Sequence, residues 1–189
     1  MSKTKQSSHH AVPFSAEEVA KMGISRYALQ KKTESGEWER IARGWYRAPV
    51  GDYSDDHIFQ SVAMRVGAPC AICLISALAY YDLTDIIPRK TWVMVPADRR
   101  TKYKDIRLLR TRNPEWKIEI EKIGPFHITS VERTLVDALI HRAIIGGQIG
   151  IEALRRAIRD KKTTLGKVMD TAVKLGVDHR IKSYIEALA

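Results

Sequence analysis

Residues Phe14–Pro49 read FSAEEVAKMGISRYALQKKTESGEWERIARGWYRAP, and their punctuation decides the first domain. Ser15-Ala16-Glu17-Glu18 fits a capping box, with Phe14 in the staple position before it. Val19, Ala20 and Met22 supply apolar surface, and Gly23 stands where a left-handed residue ends a helix. Ser25 is the cap of a second helix that stops at Ser35-Gly36. The turn between the two helices is about four residues, the length that sets them at a steep angle. Next comes WERIARGWYR, with strand formers Trp38, Ile41 and Tyr46 around a turn at Gly44. A hairpin this short needs another surface to pack on. Two short helices and a basic hairpin make a winged helix-turn-helix, the plan of a module that lays one helix in a DNA groove.

The chemistry of the stretch fits that plan. A recognition helix meets base edges with its N-terminal residues, here Ser25, Arg26 and Tyr27, with Gln30 one turn on and Lys31 beside it. Arginine pairs with guanine and glutamine with adenine. Arg40, Arg43 and Arg47 bracket the hairpin as phosphate contacts, which set affinity and not sequence preference. The competing reading is a helical hairpin packed for structure alone.

Outward from there, Val50–Asp56 (VGDYSDD) is an acidic joint. It divides the chain into a winged domain at 1–50 and a larger domain at 51–189. Met1–Pro13 is a polar arm, and its adjacent His9 and His10 cannot both face one ion from a helix. Beyond the joint, helices are expected from Asp55 or Asp56 to Arg65 and over Cys70–Tyr81. Strands are expected at Thr91–Pro96, Ile106–Thr111, Lys117–Ile123 and Phe126–Ile128. Helices then follow at Ser130–His141, Ile151–Lys161, Thr164–Leu175 and from Asp178 onward. Strands bracketed by helices, not alternating with them, indicate an α+β fold: a winged helix-turn-helix followed by an α+β domain with a small mixed or antiparallel sheet flanked by helices.

The charge balance points to a polyanionic partner. Of 189 residues, 32 are Lys or Arg and 22 are Asp or Glu, a net of +10. Residues 1–50 hold 9 and 5 of these, so the excess is shared with the rest of the chain. A second basic cluster comprises Arg99, Arg100, Lys102, Lys104, Arg107, Arg110 and Arg112, opposed only by Asp105. It fits either a nucleic-acid or acidic-protein surface, or a solvated strand edge guarded by charge. No secretory signal and no apolar run of membrane-spanning length stands in the sequence, which places the protein in the cytoplasm.

Other motifs carry less. Cys70 and Cys73 form C-x-x-C without a second ligand pair and read as small apolar residues. Gly146-Gly147-Gln148-Ile149-Gly150 lacks phosphate-loop spacing and reads as a linker between helices. Asp105, Glu115 and Lys117 resemble the trio of a metal-dependent nuclease, but Asn113-Pro114 interrupts the strand such a trio needs. Arg133 and Asp137, four apart beside Glu132, can pair on one helix face, which reads as a structural ion pair at a helix–sheet junction in preference to a catalytic role.

Four segments together resemble a known family. They are Gly23-Ile24-Ser25-Arg26; Gly36 through Gly44-Trp45-Tyr46-Arg47-Ala48-Pro49; Ser76-Ala77-Leu78-Ala79-Tyr80-Tyr81-Asp82-Leu83; and Ile128-Thr129-Ser130-Val131-Glu132-Arg133-Thr134-Leu135-Val136-Asp137. Their order is similar to that in the AbiEi antitoxins of type IV toxin–antitoxin systems. The resemblance implies a winged helix that binds inverted repeats in double-stranded promoter DNA and represses its own operon. It implies a C-terminal domain that counteracts a nucleotidyltransferase toxin without requiring a tight complex. It implies no cofactor. Some relatives carry a nuclease module, of which no complete one stands here, so no catalytic or metal-ligating residue is assigned and the protein is read as non-enzymatic. The alternatives are a metal-dependent nuclease with a DNA-binding front, and an adaptor that binds an acidic protein.

Overall fold

Gly23 has φ +78°, the left-handed conformation that lets the chain leave one helix and begin the next. The computed structural model describes residues 14–21, 23–47 and 55–186. The polar arm with His9 and His10, Met22, residues 48–54 with most of the acidic joint, and residues 187–189 lie outside them. The chain divides into two compact units, 1–61 and 62–189, the division falling within the helix that spans Asp55–Val66.

In the first unit, α1 (Ala16–Lys21) is closed by a paired-bond motif. The Gly23 amide donates to the Ala20 carbonyl (3.0 Å) and the Ile24 amide to the Val19 carbonyl (3.2 Å). α2 (Arg26–Glu34) follows, and β2 (Glu39–Ala42) and β3 (Trp45–Arg47) make the hairpin around Gly44, at φ +81°. Phe14–Ser15 differs from expectation. It forms a short strand, β1, that pairs with Tyr46 and Trp45 of β3, giving a three-stranded sheet in the order β1-β3-β2. The Ala16 amide also bonds the Gly44 carbonyl at 2.8 Å. The wing is therefore stitched to the start of α1 by backbone bonds. Val19 and Leu29 form its small apolar interior, 1% and 6% exposed.

The second unit is built on a five-stranded mixed sheet in the order β6-β5-β4-β8-β7. Its strands are β4 (Ala71–Ile72), β5 (Thr91–Pro96), β6 (Ile106–Thr111), β7 (Ile120–Ile123) and β8 (Phe126–Thr129). β5 and β6 run parallel from Thr91↔Ile106 to Pro96↔Thr111, and β4 pairs parallel with β8; the other two pairings are antiparallel. α3 (Asp55–Val66) spans the division, and the further helices of the second unit are α4 (Leu74–Tyr80), α5 (Val131–Ile140), α6 (Arg142–Ile145), α7 (Gly147–Arg159), α8 (Leu165–Lys174) and α9 (Asp178–Glu186). The core joins Trp92 and Met94 of the sheet to Leu78, Leu135, Leu154, Val168 and Ile181. α5 is its centre, buried from Arg133 through Leu139.

Two expected elements change, each for a physical reason. The helix read over 70–81 begins only at Leu74. Ala71–Ile72 is pulled into the sheet, where Ile72 faces Val93 on one side and Ile128 on the other. The strand read over 117–123 shortens to Ile120–Ile123. Asn113 Oδ1 accepts from the Glu115 amide (2.9 Å), opening a turn, and the Arg133 guanidinium takes the Trp116 and Ile118 carbonyls (3.3 and 2.7 Å). Those carbonyls are spent before a ladder can use them. The glycine-rich linker also contracts, because α7 begins at Gly147 and only Gly146 (φ +110°) lies outside it. Gly150 sits so close to α5 that a Cβ there would meet the Ala138 carbonyl carbon at 3.0 Å.

Candidate nucleic-acid interface

α2 starts where the sequence places it. Ser25 has extended backbone (φ −68°, ψ 160°), and its Oγ accepts from the Ala28 amide at 3.2 Å. No acidic residue occupies the first turn, so the positive end of the helix is left for an anion. Leu29 is the one fully buried side chain of α2, which turns the opposite stripe outward. Arg26, Tyr27, Gln30, Lys31 and Glu34 are exposed, Tyr27 to 70%. The Lys31 ammonium lies 5.6 Å from the Tyr27 ring centroid. Arg26 has no hydrogen-bond or ion-pair partner among the described residues.

Lys32 points elsewhere. It pairs with Glu37 and lies 5.1 Å over the Trp38 ring, which ties the end of α2 to the approach to the wing. The Trp38 amide also donates to the Lys32 carbonyl at 2.9 Å. These contacts fix the wing beside the helix. One groove is lined by Ala16, Arg26, Leu29, Gln30, Thr33, Arg40 and Tyr46, so Arg26, Gln30 and Arg40 share it.

The three wing arginines are not equivalent. Arg40 is exposed, with only a 3.4 Å bond from Nε to the Ala42 carbonyl, and Arg43 is exposed at the turn. Arg47 is 6% exposed, and its Nε and Nη2 donate to Glu39 Oε2 at 3.1 and 2.9 Å. The register Glu39↔Arg47 puts the two on neighbouring strands. Arg47 is thus a strut of the hairpin and not the exposed contact expected from its charge, whereas Arg40 and Arg43 stand in solvent.

The second basic cluster follows β6, an edge strand paired only with β5 among the described residues. Arg107 lies over Trp92, its guanidinium carbon 4.2 Å from the ring centroid, the two residues being register partners on neighbouring strands. Arg110, Arg112 and Lys104 are exposed. The preceding loop is more tied down. Arg99 donates to the Ala68 carbonyl, and Arg100 to the Ala97 and Arg99 carbonyls at 3.1 and 2.9 Å. Arg65, on α3, holds Asp105 at 2.7 Å and stacks 5.1 Å over Tyr103. The single acid in the cluster is therefore already neutralised.

The nuclease trio is not assembled. Asp105 is engaged by Arg65, and Glu115 and Lys117 stand on the turn after β6. Among the described residues no three His, Cys, Asp or Glu side chains converge as metal ligands. Cys73 is fully buried and its thiol is pushed well up by burial; Cys70 is half-buried. Arg133 and Asp137 form the expected ion pair at 2.9 Å, 5% and 4% exposed. Glu132 accepts instead from Thr163 at 2.6 Å. Among the described residues no helix is long and apolar enough to cross a membrane. Charge patterning alone misses Glu34, the acid on the exposed stripe of α2, although its four-residue spacing from Gln30 is visible in the sequence.

Helix, turn, capped helix and wing coincide with a known family. Residues 6–49 match the model of the AbiEi antitoxin transcriptional regulators. The match takes in α1, α2 and the hairpin and stops short of α3. No curated protein matches the chain. The AbiEi-like segment is thus the part that bears the exposed face of α2.

Proposed function

We propose that this protein is a non-enzymatic, cytoplasmic transcriptional regulator of the AbiEi antitoxin type. It binds inverted repeats in double-stranded DNA at its own promoter and counteracts a nucleotidyltransferase toxin. The observation that carries the reading is the exposed stripe of α2, capped by Ser25 and sharing a groove with Arg40 of the wing. α2 lies in the major groove, where Arg26, Tyr27 and Gln30 meet base edges. Lys31, Arg40 and Arg43 hold phosphates. Arg107 and Arg110, on the open edge of β6, add phosphate contacts, with Arg99 and Arg100 shaping the loop beside them. The antitoxin half of the proposal is supported by the family match and by the order of the four sequence segments.

Fluorescence anisotropy on the gene's own promoter fragment and on random duplex tests the DNA half. Arg26→Ala is expected to cost about 1–3 kcal/mol on the promoter and to leave random DNA nearly unchanged. Arg43→Ala is expected to weaken both and to lower the salt slope by about one. Equal losses on both duplexes for Arg26→Ala remove it from base reading. Co-expression with a nucleotidyltransferase encoded beside the gene tests the antitoxin half: growth arrest unrelieved by this chain overturns it.

A further inference from the structure

α2 carries a single acid, and it lies on the face turned outward for reading. Arg26, Gln30 and Glu34 follow one another at four-residue spacing, so they form one stripe along the helix. Gln30 Nε2 donates to Glu34 Oε1 at 2.8 Å. A carboxylate only accepts, so Glu34 requires the nitrogen of the Gln30 amide to turn toward it. Gln30 is left with its carbonyl oxygen and one N–H to offer elsewhere.

That remaining pair has a definite complement. Adenine presents a donor at N6 and an acceptor at N7 in the major groove, whereas guanine presents two acceptors, O6 and N7. A Gln30 amide held by Glu34 matches adenine with one acceptor and one donor. Against guanine it sets a carbonyl oxygen beside O6, with a carboxylate behind it. A free glutamine, by contrast, can turn its NH2 group toward either purine. We propose that Glu34 is a positioning residue that makes Gln30 read adenine and reject guanine. The proposal rests on α2 occupying the major groove, as the proposed function has it. Glu34 opposes the phosphate charge, so the same residue that raises selectivity lowers affinity for DNA of any sequence.

The test is selection from a randomised promoter repeat, with anisotropy titrations of the selected and random duplexes. The full chain is compared with Glu34→Gln, Glu34→Ala and Gln30→Ala. Glu34→Gln keeps size and helix preference but both accepts and donates, so the Gln30 amide is released. The unsubstituted chain is expected to favour adenine over guanine at least about fivefold at one position of the repeat. Gln30→Ala identifies that position by abolishing its preference. Both Glu34 variants are expected to bring the ratio near one there, to leave the Arg26-dependent position unchanged, and to bind random DNA as tightly or more tightly. A helix-supporting role alone would lower affinity at every position together. Retention of the adenine preference in Glu34→Gln and Glu34→Ala overturns the proposal, as does a uniform loss across positions. Absence of any sequence preference in the unsubstituted chain overturns the groove reading itself, a result distinguishable from the failure of Glu34 alone.

Discussion

Arg26 and Arg43 of the first unit and Arg133 of the second use arginine in opposite ways. In the first, Arg26 and Arg43 stand in solvent without hydrogen-bond or ion-pair partners among the described residues. In the second, Arg133 is buried, with Asp137, the Trp116 and Ile118 carbonyls and the Met94 sulfur all within bonding reach. The first unit has a small interior and leaves these two charges in solvent. The second has a large core, and one of its charges organises that core. A guanidinium desolvated inside a protein holds structure only if its donors are satisfied, whereas one left in water retains its attraction for an external anion. The environment, not the residue type, separates a partner contact from a strut.

The contrast can be broken most directly at Arg133. Arg133→Met leaves the buried Asp137 carboxylate unpaired and frees the turn at 114–119, and is expected to cost about 3–5 kcal/mol in urea unfolding. A loss below about 1 kcal/mol would mean that the ion pair does not organise the core. Arg47 and Arg43 sharpen the contrast within the first unit. Arg47→Ala removes two bonds to Glu39 and is expected to destabilise the chain by about 1–3 kcal/mol. Arg43→Ala is expected to stay within about 0.5 kcal/mol in the same assay. Similar stability losses for the two would erase the distinction between strut and exposed contact.

The smallest expected effect is a pH dependence of the second unit. Burial lowers the His141 pKa from its usual value near 6.5, with neighbouring Asp137 opposing the shift and Arg180 and Arg133 adding to it. Protons then bind the unfolded chain more readily than the folded one. Stability is therefore fully present above about 6.5 and is lost as pH falls from there toward the lower folded value. Asp137 runs the other way, since burial raises its pKa despite Arg133 and favours the folded state at lower pH. The difference between the unfolding curves of the chain and of His141→Asn isolates the histidine. The chain should lose stability relative to the variant as pH falls below about 6.5; parallel curves would show that His141 stays solvated.

Much of the first unit was legible because its signals are local. Ser25 caps, Gly23 and Gly44 take left-handed φ, and the Trp38–Arg47 run makes a hairpin. The third strand was not legible, because Phe14–Ser15 becomes a strand only by meeting β3, some thirty residues later. In the second unit the helix signals at Ser130, Thr164 and Asp178 read correctly for the same local reason. The Ala71–Ile72 strand and the shortening of the 117–123 strand did not, since both depend on partners distant in sequence.

The winged plan, the α+β class and the basic balance were already set by the sequence. Helix period, caps and turn glycines act over a few residues, and nothing distant overruled them. Tertiary structure alone decided that Arg47 is a strut while Arg43 is exposed, that Arg107 lies over Trp92, and that Arg133 closes the turn at 114–119. Each of those outcomes depends on which backbone or carboxylate stands opposite the guanidinium. Strand register and helix packing set that, and no short stretch of sequence contains it.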